Sequence, residues 1–155
     1  MTVPDPVLPG VPPHSSDERT MAALAHASAV LNFITGIGGP IAALVIWATQ
    51  REKSPWVAFH ALQSLVFQLG LTALTVAAVM VIWVVGFAIS FATLGVGTII
   101  AVPVMILSMF GAFAAIGGGM IYSLYGAYQI HQGREFRYLW IGDWLAGQYP
   151  VQVRP

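Results

Sequence analysis

Long apolar stretches with few interruptions predict a chain of helices that cross a membrane. Residues 54–133 contain no Asp, Glu, Lys or Arg, and about 20 apolar residues suffice for one helical crossing. This run is long enough for two crossings and a turn, which the segment Thr93-Leu-Gly-Val-Gly97 supplies. We expect one helix from Pro55 to about Ala92 and another that ends near Gln132, with Pro103 tolerated in its early part.

The N-terminal part of the chain predicts a further helix, which begins near residue 17. Ser16 is a suitable N-cap, and the two acids that follow it place negative charge in the first helical turn, where the helix dipole favours it. The apolar pattern continues to about Ile34. Glycine just past one helix and proline at the start of the next are typical of a break. A loop of this kind follows, formed by Gly36, Gly38, Gly39 and Pro40.

The length of the piece after this break leaves two topologies open. From Pro40 to about Arg51 a helix would be ~18 Å long, against a hydrocarbon core of ~30 Å. Residues 17–51 therefore form either a short hairpin of two helices, which makes four helices in the bundle, or one broken span, which makes three. The sequence does not decide whether residues 40–51 cross fully.

The positive charges favour the four-helix bundle with both termini in the cytoplasm. In the hairpin topology the bases before the C-terminal tail all lie on one face of the membrane, and the opposite loops carry none. These bases are Arg19, Arg51, Lys53, Arg134 and Arg137. The predicted fold class is therefore all-α, a polytopic transmembrane helix bundle.

Three segments follow from this pattern. Residues 1–16 contain five prolines and no apolar periodicity, which predicts a disordered tail. Residues 17–133 form the transmembrane helical domain. Residues 134–155 mix bases with aromatic side chains, which is typical of an interfacial segment at the border of a membrane.

Polar side chains at helical spacing predict contacts between helices inside the membrane. On the helix that begins at Pro55 they recur at intervals of three, four and eight residues and share one face. The candidate residues on the two helices are Arg19, His26, Asn32, His60, Gln63, Ser64 and Gln68. Hydrogen bonds between membrane helices contribute ~0.6 to 2 kcal/mol. Arg19 either reaches His60 or the Gln63 face, or extends to lipid headgroups.

A cofactor is a second interpretation of the two histidines. His26 and His60 are both carried by helices, and paired histidines of this kind ligate a haem iron or the magnesium of a chlorin. Hydrogen bonding explains the same spacing without a cofactor. We predict no cofactor and no metal, with haem or chlorin ligation as the alternative.

A stripe of small residues predicts a helix-packing seam on the last long helix. Small side chains recur every four residues, which lets another helix backbone approach closely in a bilayer. The stripe consists of Gly111, Ala115, Gly119, Ser123 and Ala127. We expect it to face another helix of the same chain, and a contact between protein copies is the alternative.

Composition excludes several classes of function. The chain is 57% hydrophobic and 8% charged, with a formal net charge of zero, which leaves no electrostatic basis for nucleic-acid binding. Cysteine is absent, so disulfides and thiolate chemistry are excluded. All acidic residues lie in termini or predicted loops, and no catalytic motif is present. We therefore expect no enzyme activity.

Several segments in order resemble a known family. Residues 17–26, the Gly-Ile-Gly-Gly-Pro40 break, the Arg51-Glu-Lys53-Ser54-Pro55 segment and the run from Phe59 to Gln68 are similar to the Tic-twenty-like family. Those are small bacterial four-helix membrane proteins of unknown function, similar to a chloroplast protein-import component, so the resemblance implies a location in a bacterial cytoplasmic (inner) membrane. The resemblance covers about residues 16–140. Relatives carry polar side chains where this chain has Ala58, Leu62 and Val66, which favours docking over conduction.

The sequence thus predicts a small scaffold or accessory subunit of a larger membrane complex. Its partners would be the lipid bilayer and other integral membrane proteins or further copies of itself. The alternative is a component of protein translocation or insertion, which the resemblance implies, or a small-solute channel. A channel or translocation element requires a water-accessible groove along His60, Gln63, Ser64 and Gln68.

Overall fold

The computed structural model describes residues 14–148, and within that range the chain contains helices and no strand. The helices are α1 (Ser16–Ala27), α2 (Ala29–Thr35), α3 (Gly38–Gln50), α4 (Pro55–Ala92), α5 (Thr98–His131) and α6 (Ile141–Gln148). The all-α class is confirmed for this part of the chain. The tail prediction for residues 1–13 and the C-terminal prediction for residues 149–155 lie outside the described residues.

Helix α1 begins one residue earlier than the sequence predicts. Its N-cap is Ser15 instead of Ser16: the Ser15 Oγ accepts a hydrogen bond from the Glu18 N–H at 3.2 Å, and Glu18 Oε2 accepts one from the Ser15 N–H at 2.9 Å. This reciprocal pair is a capping box. Only Ser28 separates α1 from α2, so the two follow each other almost as the single helix that the apolar pattern predicts.

The chain turns back between α2 and α3, so residues 17–51 form a hairpin instead of one broken span. Gly36 adopts a left-handed φ of 81°, and its N–H donates to the Asn32 carbonyl at 2.7 Å. Helix α3 packs against both α1 and α2. Gly39 permits the close approach, because a Cβ there would lie 2.7 Å from both the Ser28 carbonyl oxygen and the Asn32 Cβ. Pro40 is the third residue of α3, not its first as predicted.

Helices α4 and α5 are the two described helices that are long and apolar enough to cross a membrane. Helix α4 has the predicted bounds, and the hydroxyl of Ser54, the residue before it, accepts a hydrogen bond from the Val57 N–H at 3.4 Å. Helix α5 ends one residue before the predicted Gln132. Their most apolar windows are almost entirely exposed, which is unlike the core helix of a soluble protein. Helix α3 has 13 residues and is ~20 Å long.

The helices contribute to two compact units. Unit 1 comprises the described residues up to Gln68 together with those from Met120 onward, and unit 2 is Leu69–Gly119. Unit 1 contains a buried hydrophobic cluster of Ala22, Trp56, Val57, Ile130, Phe136 and Tyr138. Unit 2 is a helical hairpin, turned at Leu94 (φ 51°) and Gly95 (φ 94°). It is closely packed at Gly86, where a Cβ would lie 2.9 Å from the Met105 Sδ.

The small-residue stripe is covered over only part of its length. Ser123 and Ala127, in unit 1, are buried. Gly111 and Ala115 are exposed, and a Cβ at Gly111 would meet no atom within 4 Å. Gly119 has intermediate exposure. Within residues 14–148 the helices thus leave the N-terminal half of the stripe open to lipid or to another protein.

Candidate functional site

Unit 1 contains a group of polar side chains that water does not reach. We call it the polar cluster, and its members are 0% to 3% exposed: His26, His60, Gln63, Ser64, Gln68, Ser123 and Tyr138. Helix α1 contributes the first, α4 the next four, α5 contributes Ser123, and the segment after α5 contributes Tyr138. The shared face of α4 that the sequence predicts is thereby turned into the interior of this unit.

His26 is connected to the C-terminal part of the chain through Tyr138. The His26 Nδ1 lies 2.9 Å from the Tyr138 hydroxyl, which in turn lies 2.8 Å from the Ser123 Oγ. The Tyr138 ring stacks on Phe67 with centroids 4.0 Å apart. A single side chain after α5 therefore links α1, α4 and α5.

His60 lies between His26 and a carboxylate. Its Nδ1 is 3.4 Å from the His26 Nε2, and its Nε2 is 3.6 Å from Glu135 Oε2. The Trp56 Nε1–H donates to the other carboxylate oxygen, Oε1, at 2.9 Å. Neither the His60 Nε2 nor the Glu135 Oε2 has a hydrogen-bond partner. The row of side chains thus ends in an ion-pair contact between His60 and Glu135.

Gln63 holds the backbone of the segment after α5. Its Oε1 accepts a hydrogen bond from the Tyr138 N–H at 2.8 Å, and its Nε2 lies 3.4 Å from both the Phe136 carbonyl and the His60 Nδ1. A buried amide that pairs with backbone groups replaces the water those groups would otherwise bind. Gln63 therefore fixes the position of Tyr138 and, with it, the rest of the cluster.

Ser64 and Gln68 form a second layer that joins α4 to the junction of α1 and α2. The Ser64 hydroxyl donates to the Ala25 carbonyl at 2.8 Å, and the Gln68 Nε2 donates to Ser64 at 2.9 Å and to the Ser28 hydroxyl at 3.2 Å. These four side chains of α4 are hydrogen-bonded inside the unit and do not line an open groove.

The remaining predicted residues lie around this cluster. Asn32 is buried in α2 and packs beside Gly39. Arg19 extends beside Gly133, at the end of α5: its Nη1 would lie 3.1 Å from a Cβ placed there, and its Nε is buried without a hydrogen bond. Gly36, Gly38, Gly39 and Pro40 form the hairpin turn and the start of α3.

Burial and neighbouring groups shift the ionisation of two residues after α5. Burial raises the pKa of the Glu135 carboxyl, but the contacts with His60 and Trp56 lower it by more, so this pKa lies below its ordinary value. Burial also raises the pKa of the Tyr138 hydroxyl above its ordinary value. Glu135 is thus held as a carboxylate and Tyr138 as a neutral phenol.

Sequence reasoning missed Trp56, Glu135 and Tyr138 as members of this site. The sequence pattern places Glu135 and Tyr138 in an interfacial segment, because a mixture of basic and aromatic side chains at a membrane border is typical of such a segment. Nothing in the local pattern indicates that Tyr138 folds back on His26, 112 positions earlier. Part of the segment does face outward, since Trp140 and Trp144 are 88% and 60% exposed.

The two histidines that the sequence offers as cofactor ligands lie against each other. The His26 and His60 rings contact directly, with centroids 5.5 Å apart. In the described part of the chain, no three His, Cys, Asp or Glu side chains are grouped to hold a metal ion.

One comparison with known proteins finds a match. The model of the magnetosome magnetite crystal formation protein family (MamF/MmsF) matches residues 17–145. No curated protein and no solved structure matches the chain. The match shows that the resemblance to the Tic-twenty-like family is wrong. The small residues at the break, the Ser-Pro cap and the polar face of α4 are requirements of helix packing, and they do not by themselves distinguish one membrane family from another.

Proposed function

The chain belongs to the magnetosome magnetite crystal formation protein family, and from this premise we propose that it is a non-catalytic accessory protein of the magnetosome membrane that acts in magnetite crystal formation. The family match carries the proposal, because it covers all six helices except the first residue of α1 and the last three of α6. The two long apolar helices support the membrane location.

The structure supports an accessory role more than conduction or catalysis. The polar side chains of α4 that could line a channel are buried and joined to neighbouring helices. Large apolar side chains of unit 2 are instead exposed, which suits contact with lipid, other integral membrane proteins or further copies of this chain. A role in protein translocation or insertion was implied only by the resemblance to the Tic-twenty-like family. Because the family match overturns that resemblance, we do not propose this role.

We propose four crossings with both termini in the cytoplasm: α1 with α2, then α3, α4 and α5. The chain contains no cysteine, so single cysteines test this topology directly. In sealed vesicles of known orientation, an impermeant thiol reagent should label Glu52→Cys from the cytoplasmic face, and Ile37→Cys and Val96→Cys from the opposite face. Labelling of Ile37→Cys and Glu52→Cys from the same face would show that α3 does not cross.

Deletion of the gene in the source organism tests the function itself. We expect magnetite crystals of altered size or shape in electron micrographs, and wild-type crystals after complementation with the intact gene. Crystals of unchanged size, shape and number in the deletion strain would contradict the proposal.

Native mass spectrometry of the tagged protein, extracted in mild detergent, should show a second membrane protein or a homo-oligomer. A lone monomer would count against an accessory role.

A further inference from the structure

A groove of about 260 Å³ lies where α3 ends and α4 begins, and all of it belongs to unit 1. The residues that line it are of two kinds. Ala58 and Phe59 are 7% and 3% exposed, whereas the side chains of Arg51 and Glu52 are 55% and 86% exposed. The groove therefore joins a buried apolar wall to a charged mouth.

The sequence around the groove places its mouth at the border of the membrane. Residues 51–53 are all charged, whereas α3 before them and residues 54–133 after them contain no Asp, Glu, Lys or Arg. Charged side chains between two apolar segments lie at the level of the lipid headgroups. The groove thus leads from the headgroup level towards the hydrocarbon, in the same order as the parts of a phospholipid.

The two charges at the mouth are not used up by contacts within the protein. The Arg51 Nη2 lies 3.8 Å from the Glu52 Oε1, and an ion pair as exposed as this one contributes little to stability. The Arg51 guanidinium carbon lies 5.5 Å from the centre of the Trp47 ring, which attracts the cation and also lines the groove. The mouth therefore offers one positive and one negative group side by side.

This pair of charges indicates which headgroup fits. A guanidinium binds a phosphate through two parallel N–H donors, and a carboxylate accepts hydrogen bonds from a primary ammonium. Phosphatidylethanolamine carries a phosphate and a primary ammonium joined by an ethylene link. Phosphatidylglycerol has no cation for Glu52, and the quaternary ammonium of phosphatidylcholine has no N–H to donate.

From these contacts we propose that the groove is a binding site for phosphatidylethanolamine. Arg51 binds the phosphate, Glu52 binds the ammonium, and the apolar wall holds part of one acyl chain. The volume of the groove is slightly below the ~300 to 1,000 Å³ of sites that enclose a whole drug-sized ligand. It therefore suits a section of one acyl chain, while the rest of the lipid remains in the bilayer.

The beginning of α4 adds to the attraction for phosphate. Pro55, the first residue of α4, lines the groove. The N-terminus of a helix carries a partial positive charge that favours anions. A phosphate bound by Arg51 at this end of the groove therefore lies near two sources of positive charge.

This site goes beyond the proposed function and rests only on the location of the protein in a membrane. In the proposed topology, the mouth opens in the cytoplasmic leaflet. Lipid binding is measured on the purified protein and crystal formation in cells. A failure of the proposed function and a failure of the lipid site therefore give different results.

Lipid titration of the full-length protein tests the inference. The protein is delipidated in mild detergent, and native mass spectrometry follows its binding of phosphatidylethanolamine, phosphatidylglycerol and phosphatidylcholine with identical acyl chains. We expect one saturable phosphatidylethanolamine site. Its affinity should exceed that for the other two lipids by at least about fivefold, because hydrogen bonds between charged groups are among the stronger ones.

Two charge variants separate the roles of the headgroup contacts. Arg51→Gln removes the phosphate contact, so it should weaken the binding of all three lipids, with phosphatidylethanolamine weakened by about tenfold. Glu52→Gln removes only the ammonium contact, so it should abolish the preference for phosphatidylethanolamine over phosphatidylglycerol. Both positions are exposed, and neither change should disturb folding.

Two further variants complete the test. Lys53→Gln is the matched control, since Lys53 is an exposed neighbouring charge outside the lining of the groove. It should leave the phosphatidylethanolamine affinity within about twofold of wild type. Ala58→Leu fills the apolar wall and leaves the charges in place, so it should weaken phosphatidylethanolamine binding. Circular dichroism checks that each variant is folded.

Three results would overturn the inference. Equal affinity for the three lipids, or unchanged affinity in folded Arg51→Gln and Glu52→Gln, would show that the groove holds only ordinary bilayer lipid. Tighter binding of phosphatidylglycerol than of phosphatidylethanolamine would refute the role of Glu52. A dimer that is lost in folded Ala58→Leu, without any saturable lipid site, would show that a second copy of the chain fills the groove.

Discussion

Unit 1 and unit 2 are held together by different forces, although α4 and α5 contribute to both. In unit 1, α4 buries its polar side chains and joins them to α1, to Ser28 between α1 and α2, and to the segment after α5. In unit 2, many side chains of the same helix are large, apolar and exposed. A hydrogen bond from the Trp83 indole to Ser108, at 3.3 Å, joins α4 to α5 there. Polar groups specify one arrangement of helices, whereas apolar faces remain compatible with lipid.

The largest expected difference in stability between the two units comes from a steric clash in unit 1. Gly39→Leu adds a side chain whose Cβ would lie 2.7 Å from both the Ser28 carbonyl oxygen and the Asn32 Cβ. The carbonyl oxygen belongs to the backbone, so it cannot move aside as the end of a flexible side chain can. We expect a loss of about 3 kcal/mol or more in unfolding free energy, measured by denaturation in mixed micelles. Gly70→Leu in unit 2, where nothing lies within 4 Å, is the control and should lose less than about 1 kcal/mol. An equal loss of unfolding free energy in Gly39→Leu and Gly70→Leu would show that the two units do not differ in how closely their helices pack.

The next effect concerns the hydrogen bonds of Gln63. Gln63→Met keeps the volume but leaves the Tyr138 N–H without an acceptor. The expected loss is about 1 to 3 kcal/mol, by the same denaturation measurement. Ser90→Ala in unit 2 removes a hydroxyl that bonds only within its own helix, and we expect little change from it. A stable Gln63→Met variant would mean that apolar packing alone holds unit 1.

The pH dependence of stability distinguishes the units in a third way. Burial raises the pKa of Tyr138 above its ordinary value, so its contribution to stability is complete below about pH 10 and is lost as pH rises further. We expect the unfolding free energy to fall by about 1.4 kcal/mol per pH unit above pH 10. Tyr138→Phe should lack this additional fall. If both proteins show the same alkaline profile, Tyr138 is not the responsible group.

The smallest expected effect lies in unit 2. Ser108→Ala removes the partner of the Trp83 indole, and single hydrogen bonds between membrane helices average about 0.6 kcal/mol. Since Trp83 is 36% exposed, we expect a loss below about 0.5 kcal/mol in denaturation. A loss as large as that of Gln63→Met would show that unit 2 also depends on a specific polar contact.

The sequence predicted the parts of the fold that depend on local pattern. The uncharged run defined α4 and α5, the glycines defined the hairpin turn, and helical periodicity grouped His60, Gln63, Ser64 and Gln68. The Glu135 and Tyr138 contacts were not predictable, because they join positions far apart in the chain. The small-residue stripe illustrates the same point. Gly111 and Ser123 belong to one pattern of spacing, and only the three-dimensional structure shows that Ser123 is buried and Gly111 is exposed.

The position of Tyr138 after α1, α4 and α5 in the chain has a consequence for biosynthesis. The ribosome synthesises α1 and α4 well before the segment that pairs with His26 and Gln63, so these polar side chains first leave the ribosome without those partners. Synthesis of residues 136–138 is therefore the step that closes unit 1. A chain that stops before Phe136 would keep polar groups unpaired, which gives proteases and chaperones a physical means to recognise it.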